Sequence, residues 1–141
     1  MTNYVYIHYR RANMSEDYFE MGLELRRKML GGKAGADDKL EQASDFIRPL
    51  EEWVTKQCFG EAWHRPSLDH KTRSMLTLSM LVSNGVNYQI KYHVLGAIAN
   101  GVTVEEVREV FMHSIIYCGL PKAVDALISA ESALKEAGHI K

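Results

Sequence analysis

The stretch MLTLSMLVSNGVNYQIKYHVLGAIANG, residues 75–101, predicts the centre of the fold. Residues 75–82 are apolar nearly all round, a pattern typical of a helix that is buried on most sides. Asn84-Gly85 interrupts the pattern, and a second helix follows from about Asn87 until Asn100-Gly101 provides a left-handed stop. We therefore predict a central helical hairpin.

Downstream of the hairpin, the sequence predicts two more helices. Thr103 and Glu106 have the spacing of a capping box. The helix behind them carries one apolar stripe, formed by Val104, Val107, Val110, Phe111, Ser114, Ile115 and Cys118. Gly119-Leu120-Pro121 then separates this helix from the next one, because proline suits the first turn of a helix. The last helix has a narrow face of mostly small residues that permits close packing: Ala123, Ala126, Leu127, Ala130, Ala133, Leu134 and Ala137.

Upstream of the hairpin, the sequence predicts two earlier helices. Ser15 is followed by acidic residues, as expected at a helix start, and Gly31-Gly32 ends that segment. The next helix is predicted from about Asp37 to Phe59.

A break at Pro66 separates these helices from the hairpin, and Ser67 or Asp69 can cap the helix that follows. No alternating strand pattern of useful length is found. The sequence therefore predicts an all-α domain of about six helices over residues 15–141, preceded by an extension over residues 1–14.

The composition limits the classes of partner. The chain has 141 residues, 46% of them hydrophobic, and a formal net charge of -1, so nucleic acid is not an expected partner. The apolar run over residues 75–82 is too short to cross a bilayer, and the N-terminus has no apolar signal core. We therefore expect a cytoplasmic protein that does not bind membranes.

His93 is the first candidate for chemistry. Val86, Gln89 and His93 share one helix face, because steps of three and four residues return to nearly the same angle. An imidazole at the edge of a buried face is suited to proton transfer near neutral pH. The alternative is a core histidine whose ring binds a backbone carbonyl.

The segment GEAWHRP, residues 60–66, concentrates polar and aromatic side chains before the hairpin. Arg65, together with Arg73 further on, is a candidate to bind a carboxylate, because guanidinium presents a matching planar fork. The alternative is that Trp63 fills the core and the arginines form ordinary ion pairs.

Other catalytic classes have no local support. Cys58 and Cys118 lie far apart without C-x-x-C spacing and are interpreted as small buried hydrophobic residues. The motifs of zinc hydrolases, P-loop proteins and serine hydrolases are absent, and no metal ligand set is predicted.

Taken in order, several blocks of the chain resemble the carboxymuconolactone decarboxylase family. They are GLELRRKMLG (residues 22–31), FGEAWHRPSLD (residues 59–69), TRSMLTL (residues 72–78), His93, NGVT (residues 100–103), EEV (residues 105–107) and YCGLPKA (residues 117–123). The resemblance covers about residues 15–137. It implies an alkylhydroperoxidase-D-like helical fold and a homo-oligomer, commonly a hexamer.

The type activity implied by the resemblance is loss of carbon dioxide from 4-carboxymuconolactone in aromatic-compound degradation. No cofactor is needed, because the electrons left by carbon dioxide delocalise through the ring alkene to the lactone carbonyl. His93 matches the family's histidine and is assigned as proton donor or enolate stabiliser, with Glu61 as its partner. Arg65 and Arg73 are assigned as carboxylate clamps and Trp63 as a pocket wall.

Gln89 departs from the family pattern. Decarboxylase members usually have glutamate four residues before the histidine, and glutamine cannot hold that negative charge. In the related peroxidase branch, cysteines stand where this chain has Val86 and Gln89, which excludes thiol redox catalysis. Two other functions remain open: an isomerase or hydrolase of a small lactone or keto acid, and a non-catalytic oligomeric binding protein.

Overall fold

The computed structural model describes residues 17–141, except for the side chains of residues 33 and 34. The chain divides into two compact units, residues 1–66 and residues 67–141. The residues described form α1 (17–29), α2 (Lys33–Glu41), α3 (Arg48–Trp53), α4 (His70–Asn84), α5 (Asn87–Ala99), α6 (Val104–Cys118) and α7 (Leu120–Glu136). A π-helix (Val54–Glu61) and a 3₁₀ turn (Ala62–His64) follow α3. The predicted all-α class is confirmed, while the extension over residues 1–14 and the cap at Ser15 lie outside the described residues.

The second unit contains the predicted hairpin, formed by α4 and α5. Asp69 caps α4 by accepting a hydrogen bond of 2.7 Å from the backbone N–H of Thr72. Gly85 ends α4 with a φ of 69°, in the left-handed region that favours glycine. The capping box of Thr103 and Glu106 begins α6 as predicted.

The core of the second unit lies among α4, α5, α6 and α7. Its largest fully buried side chains in these helices include Leu78, Ile90 and Phe111. The small-residue face of α7 is buried at Ala123, Ala126, Ala130 and Ala133, which permits close packing on α5 and α6.

One prediction for α4 is wrong. This helix was expected to be buried on most sides, but within the described chain it buries only Ser74, Leu78 and Val82. Leu76 and Met80 are exposed. The apolar pattern therefore marks a second, uncovered face rather than a fully enclosed helix.

In the first unit, the predicted helix from Asp37 to Phe59 is also wrong, because the chain breaks after α2. Pro49 lies in the first turn of α3, where its missing N–H costs no hydrogen bond. Arg48 bridges the break by donating to the carbonyl oxygens of Leu40 (3.1 Å) and Ala43 (2.9 Å).

Two glycines let α1 approach the π-helix closely. A Cβ at Gly22 would lie 1.9 Å from the carbonyl oxygen of Thr55, and one at Gly60 would lie 1.9 Å from that of Tyr18. Any larger residue at these positions would force the backbones apart. Leu25, Met29, Phe59 and Trp63 form the small core of this unit.

Within residues 17–141, no helix is both long enough and apolar enough to cross a membrane.

Candidate active site

His93 lies on α5, half-buried beside the fully buried Ile90 and Val94. Its Nδ1 atom is buried and has no hydrogen-bond partner among the described residues. Within residues 17–141, no backbone carbonyl therefore binds Nδ1, as the alternative of a core histidine would allow. Burial lowers the pKa of His93, so the neutral imidazole predominates at pH 7.

Gln89 lies one turn before His93 on the same helix. Val86 is the N-cap of α5, and its carbonyl accepts from the backbone N–H of Gln89 at 3.2 Å. The three positions predicted to share a face therefore span the N-cap and about the first two turns of α5. At this position a carboxylate would raise the histidine pKa, but an amide carries no charge to do so.

Arg73 lies in the first turn of α4 and is half-buried. Its Nε donates to the carbonyl oxygen of Leu68 at 3.1 Å, which holds the side chain against the loop before the helix. The guanidinium is thus positioned by the chain itself, as an anion-binding arginine must be.

The remaining predicted residues lie in the first unit. Glu61 is exposed at the last residue of the π-helix, and Arg65 is exposed in extended backbone after the 3₁₀ turn. Trp63 is buried and stacks on Phe59 with a ring-centroid distance of 5.8 Å. That packing supports a core role for Trp63, while its role as a pocket wall stays a prediction, as does the pairing of Glu61 with His93.

His64 is fixed within its own turn. Its Nδ1 lies 2.9 Å from the carbonyl oxygen of Phe59 and 2.8 Å from that of Gly60. Since both are acceptors, Nδ1 carries the proton and donates.

A buried ion pair in the first unit was missed by the sequence analysis. Arg26 is only 3% exposed and donates to Glu51 Oε2 at 2.6 Å and to Thr55 Oγ1 at 2.5 Å. Positions 22, 25, 26 and 29 are one buried helix face, so an arginine on that periodic stripe was the signal available.

A polar pair in the second unit was also missed. Ser74, fully buried on α4, is joined to Asn100 at the end of α5, with Asn100 Nδ2 3.1 Å from Ser74 Oγ. The Oδ1 atom of Asn100 is buried and has no hydrogen-bond partner within residues 17–141. The sequence analysis interpreted Asn100-Gly101 only as a helix stop and assigned no role to the side chain of Asn100.

The cysteines have no redox arrangement. Both were predicted to be small buried hydrophobic residues, and both are free and half-buried. Burial raises the pKa of the Cys58 thiol, which keeps it protonated and unreactive. Among the side chains described, no three metal-ligating residues cluster.

A desolvated neutral imidazole on an inner helix, with a positioned arginine on the neighbouring helix of the hairpin, can hydrogen-bond developing charge and bind an anion. The fold is all-helical, and these side chains are suited to acid–base chemistry on an anion. The chain belongs to the carboxymuconolactone decarboxylase family, whose sequence profile matches residues 48–132.

Two similar proteins are decarboxylases by name. Nitrosuccinic acid decarboxylase of Metarhizium robertsii is 36% identical over 118 residues, covering 84% of this chain and 82% of that protein. The 4-carboxymuconolactone decarboxylase of Acinetobacter baylyi is 33% identical over 123 residues, covering 87% of this chain and 91% of that protein. Together with the family match, they confirm the prediction of an enzyme of the carboxy-lyase class.

Proposed function

We propose that this protein is a cofactor-independent decarboxylase of 4-carboxymuconolactone or of a related small acid with two carboxylates and an electron-withdrawing group. The names of the two relatives support this substrate class. Both acids carry two carboxyl groups, and each has a group that accepts electrons. In the lactone, the acceptor is the conjugated carbonyl. In nitrosuccinic acid, it is the nitro group.

The reaction has the same two steps for either acid. The bond between the carboxylate and its carbon breaks, carbon dioxide leaves, and the electron pair passes to an oxygen of the lactone carbonyl or nitro group. One proton then adds to carbon and restores the neutral acceptor group. The protein must therefore stabilise a developing oxyanion, exclude water and deliver one proton.

His93 is the observation that carries this proposal. Its buried Nδ1 has no hydrogen-bond partner within residues 17–141, and the ring is neutral at pH 7 because burial lowers its pKa. A neutral imidazole can donate one N–H to the developing oxyanion without first losing a bond to protein. In a site of low dielectric, such a preorganised donor is worth more than it is in water.

The other site residues keep their predicted roles in the proposal. Arg73 and Arg65 are assigned to carboxylate binding, Glu61 is the candidate acidic partner for the histidine, and Trp63 is the candidate pocket wall. Gln89 contributes hydrogen bonds where the family's usual glutamate would contribute charge.

The proposal is tested by measuring carbon dioxide release from 4-carboxymuconolactone and from nitrosuccinate with the wild type and His93→Ala. We expect turnover of at least one acid and a loss of about 100-fold or more in the variant. His113→Ala is the matched control, because His113 is an exposed histidine on α6 and should be dispensable. Turnover of neither acid, or full activity of a folded His93→Ala protein, would contradict the proposal.

The proposed enzyme is a cytoplasmic homo-oligomer, most simply a hexamer. Exposed apolar side chains support self-association: Ile116 on α6 is 76% exposed, Ile128 on α7 is 61% exposed, and Met80 on α4 is 59% exposed. Surfaces of this kind commonly mark interaction sites.

A further inference from the structure

The Ser74–Asn100 pair lies outside the roles assigned so far. Asn100 is the C-cap of α5, and its backbone N–H completes the helix by bonding to carbonyl oxygens of Gly96 and Ala97. Its side chain is not needed for that cap. Instead the amide reaches Ser74 and leaves one buried polar atom without a partner in the part of the chain that the structure describes, which costs free energy unless a ligand or water satisfies it.

His93 and Asn100 lie on the same face of α5. Seven residues separate them, which returns the helix to within about 20° of the same direction. Gly96 lies between them on that face and is buried. Each of the two flanking side chains has a buried polar atom without a partner among the described residues.

The spacing of the two positions matches a short diacid. The two positions are seven residues apart, which at a rise of 1.5 Å per residue is about 10 Å along the helix. A hydrogen bond of about 2.8 Å at each end leaves about 5 Å for the ligand between its two terminal oxygen atoms. A chain of four carbons with bonds of about 1.5 Å, with its terminal oxygens, spans that length. One carboxylate of a small diacid can therefore reach Asn100 while an oxygen of the electron-accepting group, at the other end of the molecule, reaches His93.

The amide of Asn100 can donate to an anion if its NH₂ group is turned away from Ser74. As placed, Nδ2 donates to Ser74 Oγ, but a hydroxyl is both donor and acceptor. If the amide is turned over, Ser74 donates to Oδ1 and the NH₂ group becomes available to a carboxylate. Arg73, the predicted carboxylate-binding residue, directly precedes Ser74 on α4. It therefore lies near the Asn100 end of α5.

We infer that Asn100 is a substrate-binding residue whose amide donates to the carboxylate that is retained, with Ser74 as its positioning residue. This inference rests on the proposed function, because it presumes a diacid substrate that reacts at His93. It assigns the reacting carboxylate to the His93 end of α5 and the retained one to the Asn100 end.

The test compares Asn100→Asp with Asn84→Asp. Both asparagines end a helix of the hairpin and precede a glycine, but Asn84 is exposed and bonds only to its own helix at Met80. The two substitutions place the same charge at equivalent helix ends. Asn100→Asp replaces a donor with a repelling carboxylate, so KM should rise about tenfold to 100-fold with kcat changed much less. Asn84→Asp should leave both constants unchanged.

Binding of succinate, an unreactive four-carbon diacid, provides a measurement independent of turnover. Calorimetry should show binding to the wild type and Asn84→Asp but a loss of about tenfold or more in Asn100→Asp. Ser74→Ala should weaken binding by a smaller factor, because it removes the hydrogen bond that orients the Asn100 amide but leaves the amide in place. The pH profile of kcat should stay unchanged.

The outcomes separate this inference from the proposed function. An unchanged KM and unchanged succinate affinity in folded Asn100→Asp would overturn the inference even if the enzyme is an active decarboxylase. Loss of succinate binding in that variant, with neither acid turned over by the wild type, would support the binding role and contradict the proposed reaction. Circular dichroism and thermal unfolding establish that each variant is folded. If Asn100→Asp does not fold, Asn100→Ala and Asn100→Ser are measured in its place under the same criteria.

Discussion

At the scale of single residues, the burial of His93 links its protonation to the stability of the fold. Folding moves the ring from water into a desolvated position, which lowers its pKa below the ordinary value of 6.5. As pH falls below about 6.5, the unfolded chain therefore binds more protons at this residue than the folded chain does. The stability contributed by the neutral ring is present above that pH and is lost as pH falls through the folded pKa.

This linkage predicts a flatter stability profile for His93→Gln. Glutamine has no proton to gain, so the free energy of unfolding should fall less between about pH 7 and about pH 5 than it does in the wild type. Urea unfolding of both proteins at several pH values measures the difference. Identical slopes for the two proteins would show that His93 is not desolvated in solution.

Gln89 lies one turn before His93 and carries no charge. Its replacement by glutamate tests whether a negative charge at this position limits catalysis. We predict that Gln89→Glu raises the activity toward 4-carboxymuconolactone and shifts the basic limb of the pH profile upward, because a nearby carboxylate favours the protonated ring, which is a stronger donor to the oxyanion than the neutral ring. Initial rates of carbon dioxide release across pH measure both effects. If Glu61 already supplies the charge, Gln89→Glu gains nothing and Glu61→Gln abolishes activity.

At the scale of elements, a buried ion pair ties α1 to α3. The side chains of Arg26 and Glu51 are 4% and 22% exposed, and Thr55 satisfies a second nitrogen of the guanidinium. We predict that Glu51→Gln lowers the free energy of unfolding by about 2 kcal/mol or more, since it leaves a buried guanidinium without its counter-charge. Denaturant unfolding measures the loss.

The control is Glu131→Gln, which removes the partner of Lys135 in an exposed pair on α7. Exposed pairs of this spacing contribute about 0.5 kcal/mol or less. Equal losses in the two variants would mean that Arg26 is well solvated in solution and that the pair does not hold the elements together.

The contact between α1 and the π-helix depends on glycine. We predict that Gly60→Ala destabilises the protein by about 3 kcal/mol or more, because its Cβ would lie 1.9 Å from the Tyr18 carbonyl oxygen. Gly85→Ala is the comparison: its φ of 69° disfavours alanine, but nothing lies within 4 Å of the new Cβ. That change should cost about 1 kcal/mol. A smaller loss at Gly60 than at Gly85 in thermal or urea unfolding would contradict the close approach.

At the scale of the whole molecule, the apolar faces of α4, α6 and α7 predict self-association. Ile116→Glu should reduce the assembly to smaller species at micromolar concentration, because burying a carboxylate in an interface is costly. Light scattering and sedimentation measure the size. Ser83→Glu, at an exposed polar position, adds the same charge and should leave the assembly intact. A wild-type protein that is a stable monomer would contradict the prediction.

The local signals in the sequence determined much of the second unit. Asp69, Gly85, the Thr103 and Glu106 box, and Pro121 each act through backbone groups a few residues away, so their effect can be derived from spacing alone. The same holds for the face shared by Gln89 and His93, because helix periodicity is local. The predicted helix from Asp37 to Phe59 failed because Pro49 was overlooked as a start signal.

The features that only the tertiary structure decided depend on contacts between residues that are distant in the chain. The Arg26–Glu51 pair spans 25 positions and the Ser74–Asn100 bond spans 26, and neither has a spacing that marks it in advance. The exposure of Leu76 and Met80 could not be predicted from the sequence either, because an apolar residue type does not indicate whether its own unit or another surface covers it. The unpartnered Nδ1 of His93 belongs to this class too, because desolvation is set by everything packed around a side chain and not by its neighbours in sequence.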